Sequence, residues 1–540
     1  MGWRCGGRGR AEIEMADLTM DSGMLVQGKA DEVPVRRIVA FFFMVVGMFM
    51  AILDIQVVSA SLSEIQAGLS AGSDEIGWVQ TAYLIAEVIM IPLSGTLARV
   101  LSTRVLFTIA AAGFTLASAL CATATNMDQM IVYRALQGFI GGGMIPSVFA
   151  VAFTLFPPSK RAIVSPIIGL TATLAPTIGP TVGGWLTSSL SWHWLFLINV
   201  GPGVVVALTA WLLIDFDQPE LGLMKKFDWW GLLGLGTFLG SLEYVLEEGP
   251  GHDWLNDQTV LLLTITMVAG AVLFFWRAFR AEFPIVDLRA FSNVNFSFGS
   301  LFSFVLGVGL YGLTYLYPLY LGRIRGYDSM MIGETLFLSG LAQFIAAPIA
   351  GMLSEKVDLR AMLFAGFIGF AGGTFIMMQL TDDWSFNELV WPQILRGASM
   401  MFCMVPISNL ALGTLPKERV KGASGLFNLM RNLGGAVGLA IINTVLSNRT
   451  TWHHERLSES ITWNNPAAVA QLDSMTANNT MHGLDGAAAA IKQLGQMVSK
   501  QAYVLSFIDV FMLLTLLFAV LAFGTMLMQR PEAVGEGAGH

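Results

Sequence analysis

Seven ionisable residues stand inside strongly apolar stretches of this chain: Asp54, Glu87, Arg134, Glu243, Arg396, Arg431 and Asp509. A charge in such surroundings is expensive, so groups of this kind pair, exchange protons or line a polar path. A carboxylate beside a permanent guanidinium can gain or lose its proton whenever the pair is remade. Asp54, well into the first apolar stretch, and Arg134, early in the fourth, are the leading candidates for that chemistry. The competing reading is a fixed ion pair that sets packing. Glu87 sits mid-stretch between Tyr83 and Ile91. There a desolvated carboxyl could exchange protons or meet a cation directly, or could simply be hydrogen-bonded to a neighbouring helix. Asp509 and Glu243 lie near the ends of their stretches, and Glu243 is expected to face water.

Other chemistries find no support in the sequence. There is no G-x-x-x-x-G-K-[ST] phosphate loop and no H-E-x-x-H zinc motif. Gly141-Gly142-Gly143 falls inside an apolar stretch and is not a phosphate cradle. His453-His454 has no catalytic company, and Cys5, Cys121 and Cys403 have neither disulfide nor metal-ligand spacing. The reading is of a chain that is not an enzyme and uses no cofactor, metal or nucleic acid.

The elements that must position these residues are membrane helices. Of 540 residues 54% are hydrophobic and 13% charged, with a mean hydropathy of +0.64; soluble domains carry about a quarter charged residues. Apolar runs cover 38–60, 77–98, 105–125, 130–155, 162–187, 194–214, 229–247, 258–278, 296–321, 330–353, 361–381, 390–413, 422–447 and 503–529. Each is near the ~20 residues that a helix needs to cross about 30 Å of hydrocarbon. Alternate connections hold the cations: Arg36 and Arg37; Arg99 and Arg104; Lys160 and Arg161; Lys225 and Lys226; Arg277, Arg280 and Arg289; Lys356 and Arg360; Lys417, Arg419 and Lys421; Arg530. Their opposite set holds Asp74, Glu75, Asp128, Glu247, Glu248, Asp253, Asp382 and Asp383, with Arg323 and Arg325 as exceptions. By the positive-inside rule the first set, and both termini, are cytoplasmic. No cleaved signal is read in 1–33, whose Met15 and Met20 are possible alternative starts. A long polar connection at about 448–502, with an amphipathic piece near Leu484–Met497, falls on the outer side.

The sequence also repeats itself at an offset of about 260 residues, in the manner of transporters built from parallel repeats. Pro92 to Arg104 matches Pro348 to Arg360, and Arg134 to Pro146 matches Arg396 to Pro406. The second and fourth helices thus correspond to the tenth and twelfth, leaving the seventh and eighth inserted between two six-helix halves. The expected division is a tail 1–37, a half 38–214, inserted helices and linkers 215–290, a half 291–529 with the long outer loop, and a tail 530–540.

Five motifs in order carry a family resemblance: Leu53-Asp54-Ile55-Gln56-Val57-Val58, Gly95-x-Leu97-Ala98, Arg134-Ala-Leu-Gln137-Gly138, Ala175-Pro176 through Gly183-Gly184-Trp185, and Trp192-His-Trp194-Leu-Phe196-Leu-Ile-Asn199. From about Arg37 to Gln529 the chain resembles the fourteen-helix drug:proton antiporters of the major facilitator superfamily, the EmrB type. The resemblance implies an all-α inner-membrane protein of the major facilitator fold that exports hydrophobic or amphipathic drugs against protons. A proton-coupled importer or a narrow-specificity metabolite exporter on the same fold is the alternative. Proton coupling is then expected at Asp54, Arg134 and Glu87, and a substrate cavity at Gln56, Tyr83, Gln137, Tyr311 and Asp509. Phe42, Trp78, Tyr315 and Tyr317 are further aromatic candidates for its wall. Gating is expected at Gly95, Arg99, Gly351 and Glu355, and at Pro176, Gly179, Pro180, Gly183 and Gly184 of the fifth helix. Partners implied are small hydrophobic substrates, protons, membrane lipid, and a periplasmic adaptor (membrane fusion protein) with an outer-membrane channel. Two departures stand out in the first loop: Arg99 occupies the place of the signature's acid, and Ser102 that of its later glycine. A latch built on these loop charges must therefore be made differently here, unless both loops simply present solvated charge.

Overall fold

The computed structural model describes residues 33–528, apart from 60, 73–74, 328 and 482–484. Cys5, Met15, Met20, Asp74, Leu484 and Arg530, with nearly all of both tails, lie outside the described residues. Every regular element described is helical. Fourteen long helices follow in order: α1 (Val35–Ser59), α2 (Trp78–Leu101), α3 (Thr103–Cys121), α4 (Met127–Leu155), α5 (Pro158–Ser189), α6 (Trp194–Leu213), α7 (Trp229–Glu248), α8 (Gln258–Arg280), α9 (Val294–Tyr320), α10 (Ser329–Lys356), α11 (Leu359–Met377), α12 (Phe386–Gly413), α13 (Lys417–Ser460) and α14 (Gly486–Gly524). Thirteen of them are long and apolar enough to cross a membrane. The remaining one, α7, is diluted by its glycines, paired tryptophans and glutamates, yet packs along α8 and against α2.

Local chemistry sets many of the helix starts. Asn126 Oδ1 accepts from the Gln129 amide at 2.9 Å to begin α4, and Asp257 Oδ1 accepts from Thr259 and Val260 to begin α8. Ser385 and Glu388 form a reciprocal capping box on α12. Each such cap contributes about 1 kcal/mol. Asp228 does more. It caps α7 at the Gly231 amide (2.9 Å) and, itself buried, receives the Arg277 guanidinium of α8 at 2.8 Å, clipping the inserted pair together.

The internal repeat is visible in packing. In the first half α1 packs on α5, α2 on α4, α3 on α4 and α3 on α6. Eight helices later the same pairings recur as α9 on α13, α10 on α12, α11 on α12 and α11 on α14. The halves meet along α5–α10 and α2–α13, which are themselves related by the repeat. Helices α7 and α8 stand outside this arrangement, with α8 the least buried of the apolar helices. The architecture is all-α: two six-helix halves with two inserted helices.

The expected polar connection at 448–502 is instead mostly helical. Helix α13 runs 44 residues to Ser460 and α14 begins at Gly486, with a separate helix Pro466–Met481 between them. At 1.5 Å per residue α13 is about 66 Å long, twice the ~30 Å hydrocarbon thickness. Its polar end kept the sequence reading from extending the run past 447. The amphipathic piece, from Gly486 on, is the first part of α14.

Candidate functional site

Five helices of the first half converge on one buried ion pair. Arg134 Nη1 of α4 donates to Asp54 Oδ2 of α1 at 2.6 Å, and both side chains are fully buried. Arg134 Nη1 also donates to Gln137 Oε1 at 2.7 Å, and its Nε to the Val79 carbonyl of α2 at 3.0 Å. Asp54 Oδ1 accepts from Gln137 Nε2 at 3.1 Å and from Asn199 Nδ2 of α6 at 2.7 Å. Ser118 of α3 accepts from Gln137 at 2.7 Å. The guanidinium lies 4.3 Å from the Tyr83 ring centroid, and its Nη2 has no partner. This placement depends on Gly138: a Cβ there would stand 2.3 Å from the Tyr83 carbonyl oxygen, so glycine lets α4 reach the backbone of α2. Removing one partner of such a pair leaves an uncompensated buried charge, at a cost of roughly 3–5 kcal/mol.

The repeat-related position in the second half has no carboxylate. Arg396 of α12 is buried like Arg134, but its Nη2 donates to Thr314 Oγ1 of α9 at 2.7 Å, and its guanidinium faces the Tyr317 ring at 5.5 Å. Thr314 is the counterpart of Asp54 at the repeat offset. Only the Asp54 side can therefore take up a proton between these two matched sites.

Beside the ion pair lies a cavity of about 520 Å³ between the halves, within the roughly 300–1,000 Å³ range of small-molecule sites. Its wall runs from Glu87, Tyr311 and Asn432 at mid-helix to Leu62, Gly77 and Ile332 near the ends opposite Arg99 and Lys421. Of the expected cavity residues, Gln56 and Tyr311 line it; so do Tyr315 and Glu87. Tyr83 and Gln137 belong instead to the ion-pair network. Asp509 is elsewhere, bound to Arg449 Nε at 2.5 Å and His453 Nε2 at 2.8 Å where α13 and α14 leave the apolar region. Tyr317 packs against Phe511, Trp78 against Tyr244, and Phe42 faces outward. Glu243, expected to face water, is buried in the cavity wall because α7 closes the space between α2 and α13.

At the opposite end the halves touch. A Cβ on Gly95 would lie 2.6 Å from the Lys421 carbonyl oxygen of α13, and one on Gly351 would lie 2.2 Å from the Ala162 carbonyl oxygen of α5. These are repeat-related contacts, and both need glycine. Gly179 and Gly183 pack on Gln56 and Val57 of α1, and half-buried Gly184 continues that helix beside Pro180, which lines the cavity. Pro176 is buried within α5. Arg99 stacks over Phe283 at 4.7 Å and Glu355 is exposed, so neither makes an ion pair among the described residues. Close to the first loop stands another acid, Asp217, beyond α6. It accepts from the Thr103 amide (3.0 Å) and Oγ1 (2.8 Å) at the start of α3 and pairs with Lys421. Ser102, in the place of the signature glycine, has φ +77°, a conformation that favours glycine.

Sequence reasoning passed over Asn199, Ser118 and Asp217. Asn199 ends a quoted motif and could have been flagged by its polarity within an apolar run. Asp217 lies in a polar linker where acids are unremarked, and only the three-dimensional fold brings it to Lys421.

The family model of the Major Facilitator Superfamily matches residues 44–439. The "Colistin resistance protein EmrB" of Acinetobacter baumannii is 43% identical over 91% of this chain and 96% of its own length. The "Fatty acid resistance protein FarB" of Neisseria gonorrhoeae is 30% identical over 91% and 96%, and the "Multidrug export protein EmrB" of Escherichia coli (strain K12) 29% identical over 91% and 95%. Among solved structures, the human organic anion transporter MFSD10 (TETRAN) aligns at a TM-score of 0.58 with 14% identity, covering 90% of this chain and all of that one. A bacterial homologue of the human lysosomal transporter Spinster aligns at 0.51 with 15% identity, covering 92% and 99%; at these identities both speak for the fold alone. Motifs, repeat, fold and relatives agree: the chain belongs to the major facilitator superfamily, with EmrB export proteins among its relatives.

Proposed function

We propose that the chain is a proton-coupled antiporter that exports hydrophobic or amphipathic compounds across the bacterial inner membrane. The single observation that carries this reading is the buried Asp54–Arg134 pair, set beside a small-molecule cavity and lacking an acidic counterpart in the second half. A proton delivered to Asp54 Oδ2 dissolves its charge pairing with Arg134 and weakens the bonds that Oδ1 accepts from Gln137 and Asn199, which bind α4 and α6 to α1. Weakening those contacts loosens the first half and permits it to rock against the second. Glu87, with one carboxyl oxygen unpartnered in the cavity wall, is where protons and substrate compete. The relatives named for multidrug export and for resistance support the direction of transport.

In this reading the Lys/Arg-rich loops and both termini are cytoplasmic, and the cavity faces the periplasm. The residue divisions are 38–214 and 291–529 for the halves and 215–290 for the inserted helices. The helical projection made by α13, Pro466–Met481 and α14 then stands in the periplasm, where a membrane fusion adaptor leading to an outer-membrane channel would rest.

Efflux of a fluorescent amphipathic dye, with and without a proton uncoupler, tests the reading. Wild-type export should be uncoupler-sensitive, and Asp54→Asn should abolish it while the folded protein remains in the membrane. Full efflux by Asp54→Asn would sink the assignment.

A further inference from the structure

The cavity wall carries three glutamates, Glu87 of α2 and Glu243 and Glu247 of α7, and no lysine, arginine or histidine. Buried carboxyl groups of folded proteins normally have partners. Glu87 Oε1 is buried and has none; Glu243 is buried and Glu247 is exposed where it lines the cavity, and neither makes a side-chain hydrogen bond or ion pair among the described residues. The cations that act on Glu87 across space, Arg134 and Arg431, sit behind the wall. Arg134 is committed to Asp54, while Arg431 donates to Asn428 and lies over Phe149 at 5.4 Å. Arg431 can balance one carboxylate at most, so the two on α7 are left without a counter-charge. The rest of the wall is apolar or neutral, with Ile55, Leu84, Tyr311, Tyr315, Pro318 and Leu439 forming a greasy surround.

We propose that this cavity is a site for amphipathic organic cations, with Glu243 and Glu247 of the inserted helix α7, together with Glu87, supplying the counter-charge. A flat aromatic or alkyl body fills the apolar wall, and its cationic centre settles near the α7 carboxylates, where the Tyr311 and Tyr315 rings can add cation–π attraction. Neutral molecules gain only the apolar contacts, and anions meet repulsion. The inserted pair, which has no repeat-related partner, thus becomes the element that sets charge selectivity. Packing of α7 against α2 sets its carboxylates on the same cavity as Glu87, while the Asp228–Arg277 pair holds α7 to α8.

The inference rests on the export reading for what becomes of the bound cation, but binding can be measured without transport. Equilibrium binding of radiolabelled tetraphenylphosphonium and of tetraphenylborate, which share a shape and differ in charge, is measured on the purified full-length chain in nanodiscs against empty nanodiscs. Wild type should bind the phosphonium at least tenfold more tightly than the borate. Glu243→Gln with Glu247→Gln should weaken phosphonium binding about tenfold or more and leave borate binding unchanged or improved. The charge-keeping pair Glu243→Asp with Glu247→Asp should stay within about threefold of wild type, which separates lost charge from lost packing. Equal binding of the two ions by wild type, or undiminished phosphonium binding by the glutamine pair, would overturn the proposal. Parallel loss of both ions would overturn it too. Phosphonium binding retained by Asp54→Asn, alongside absent efflux, would leave both readings standing. Uncoupler-sensitive efflux of neutral dyes by a wild type that binds no phosphonium would keep the export reading and discard this one.

Discussion

Asp217→Asn should open the end of the molecule at which Gly95 meets α13. The carboxylate holds three things at once: the Thr103 amide at the start of α3, the Thr103 hydroxyl, and Lys421 on the opposite half. Asparagine keeps one acceptor for Thr103 but gives up the charge that binds Lys421. Hydrogen bonds to charged groups contribute about 1.5–3 kcal/mol. The two side chains are 20% and 15% exposed, so solvent screening places this pair toward the lower figure. A loss of about 1.5–2 kcal/mol from the state closed at that end raises the open fraction roughly 10- to 30-fold. Alkylation of a cysteine introduced as Ser94→Cys reads that fraction, because Ser94 is buried one residue before Gly95. The native Cys121 and Cys403 are buried, and replacing Cys5 leaves Ser94→Cys as the readable thiol. The alkylation rate should rise by the same 10- to 30-fold factor. Lys421→Met should produce the same rise, and the double variant little more than either, since partners in one interaction do not add. An unchanged rate in Asp217→Asn, or fully additive effects, would refute the latch.

Two further outcomes follow from backbone geometry. Ser102→Gly removes the Cβ from a residue at φ +77° and should stabilise the protein by about 1 kcal/mol or more, seen as a raised thermal unfolding midpoint; a lowered midpoint would mean that the Ser102 hydroxyl cap on Val105 is the larger effect. Gly351→Val puts a side chain where a Cβ alone would be 2.2 Å from the Ala162 carbonyl, so it should force α5 and α10 apart. Uncoupler-sensitive dye efflux should fall at least tenfold while the protein still elutes as a folded species, and near-normal efflux would show that this contact is dispensable.

Much of the fold was legible because membrane helices declare themselves one at a time. Each run of about twenty apolar residues fixes an element without reference to any other, and the offset of about 260 residues joined them into halves. The Asp54–Arg134 pairing was legible for a similar reason, since two opposite charges in hydrocarbon have few partners to choose from. Glu243 was misjudged because position along α7 does not reveal that the helix covers the space between α2 and α13. Asp509 was misplaced because its partners Arg449 and His453 lie on a part of α13 whose polar sequence hid its helical character. Asp217 illustrates a different limit: an acid in a linker gives no local sign of the lysine some two hundred residues away that it will meet.

Helix α13 is one unbroken rod from the Lys421 contact, along the cavity wall at Asn432 and Asn443, to His453 beside Asp509. From Lys421 to His453 is about 48 Å at 1.5 Å per residue. A tilt of about 10° around the Lys421 end would swing the His453 end by roughly 8 Å over that length. The rod therefore acts as a lever in which a small change of tilt at the Lys421 contact becomes a large displacement of the far tip. A protein seated on that tip would feel whether the Lys421 contact is made, without touching the transported molecule or the ion that drives it.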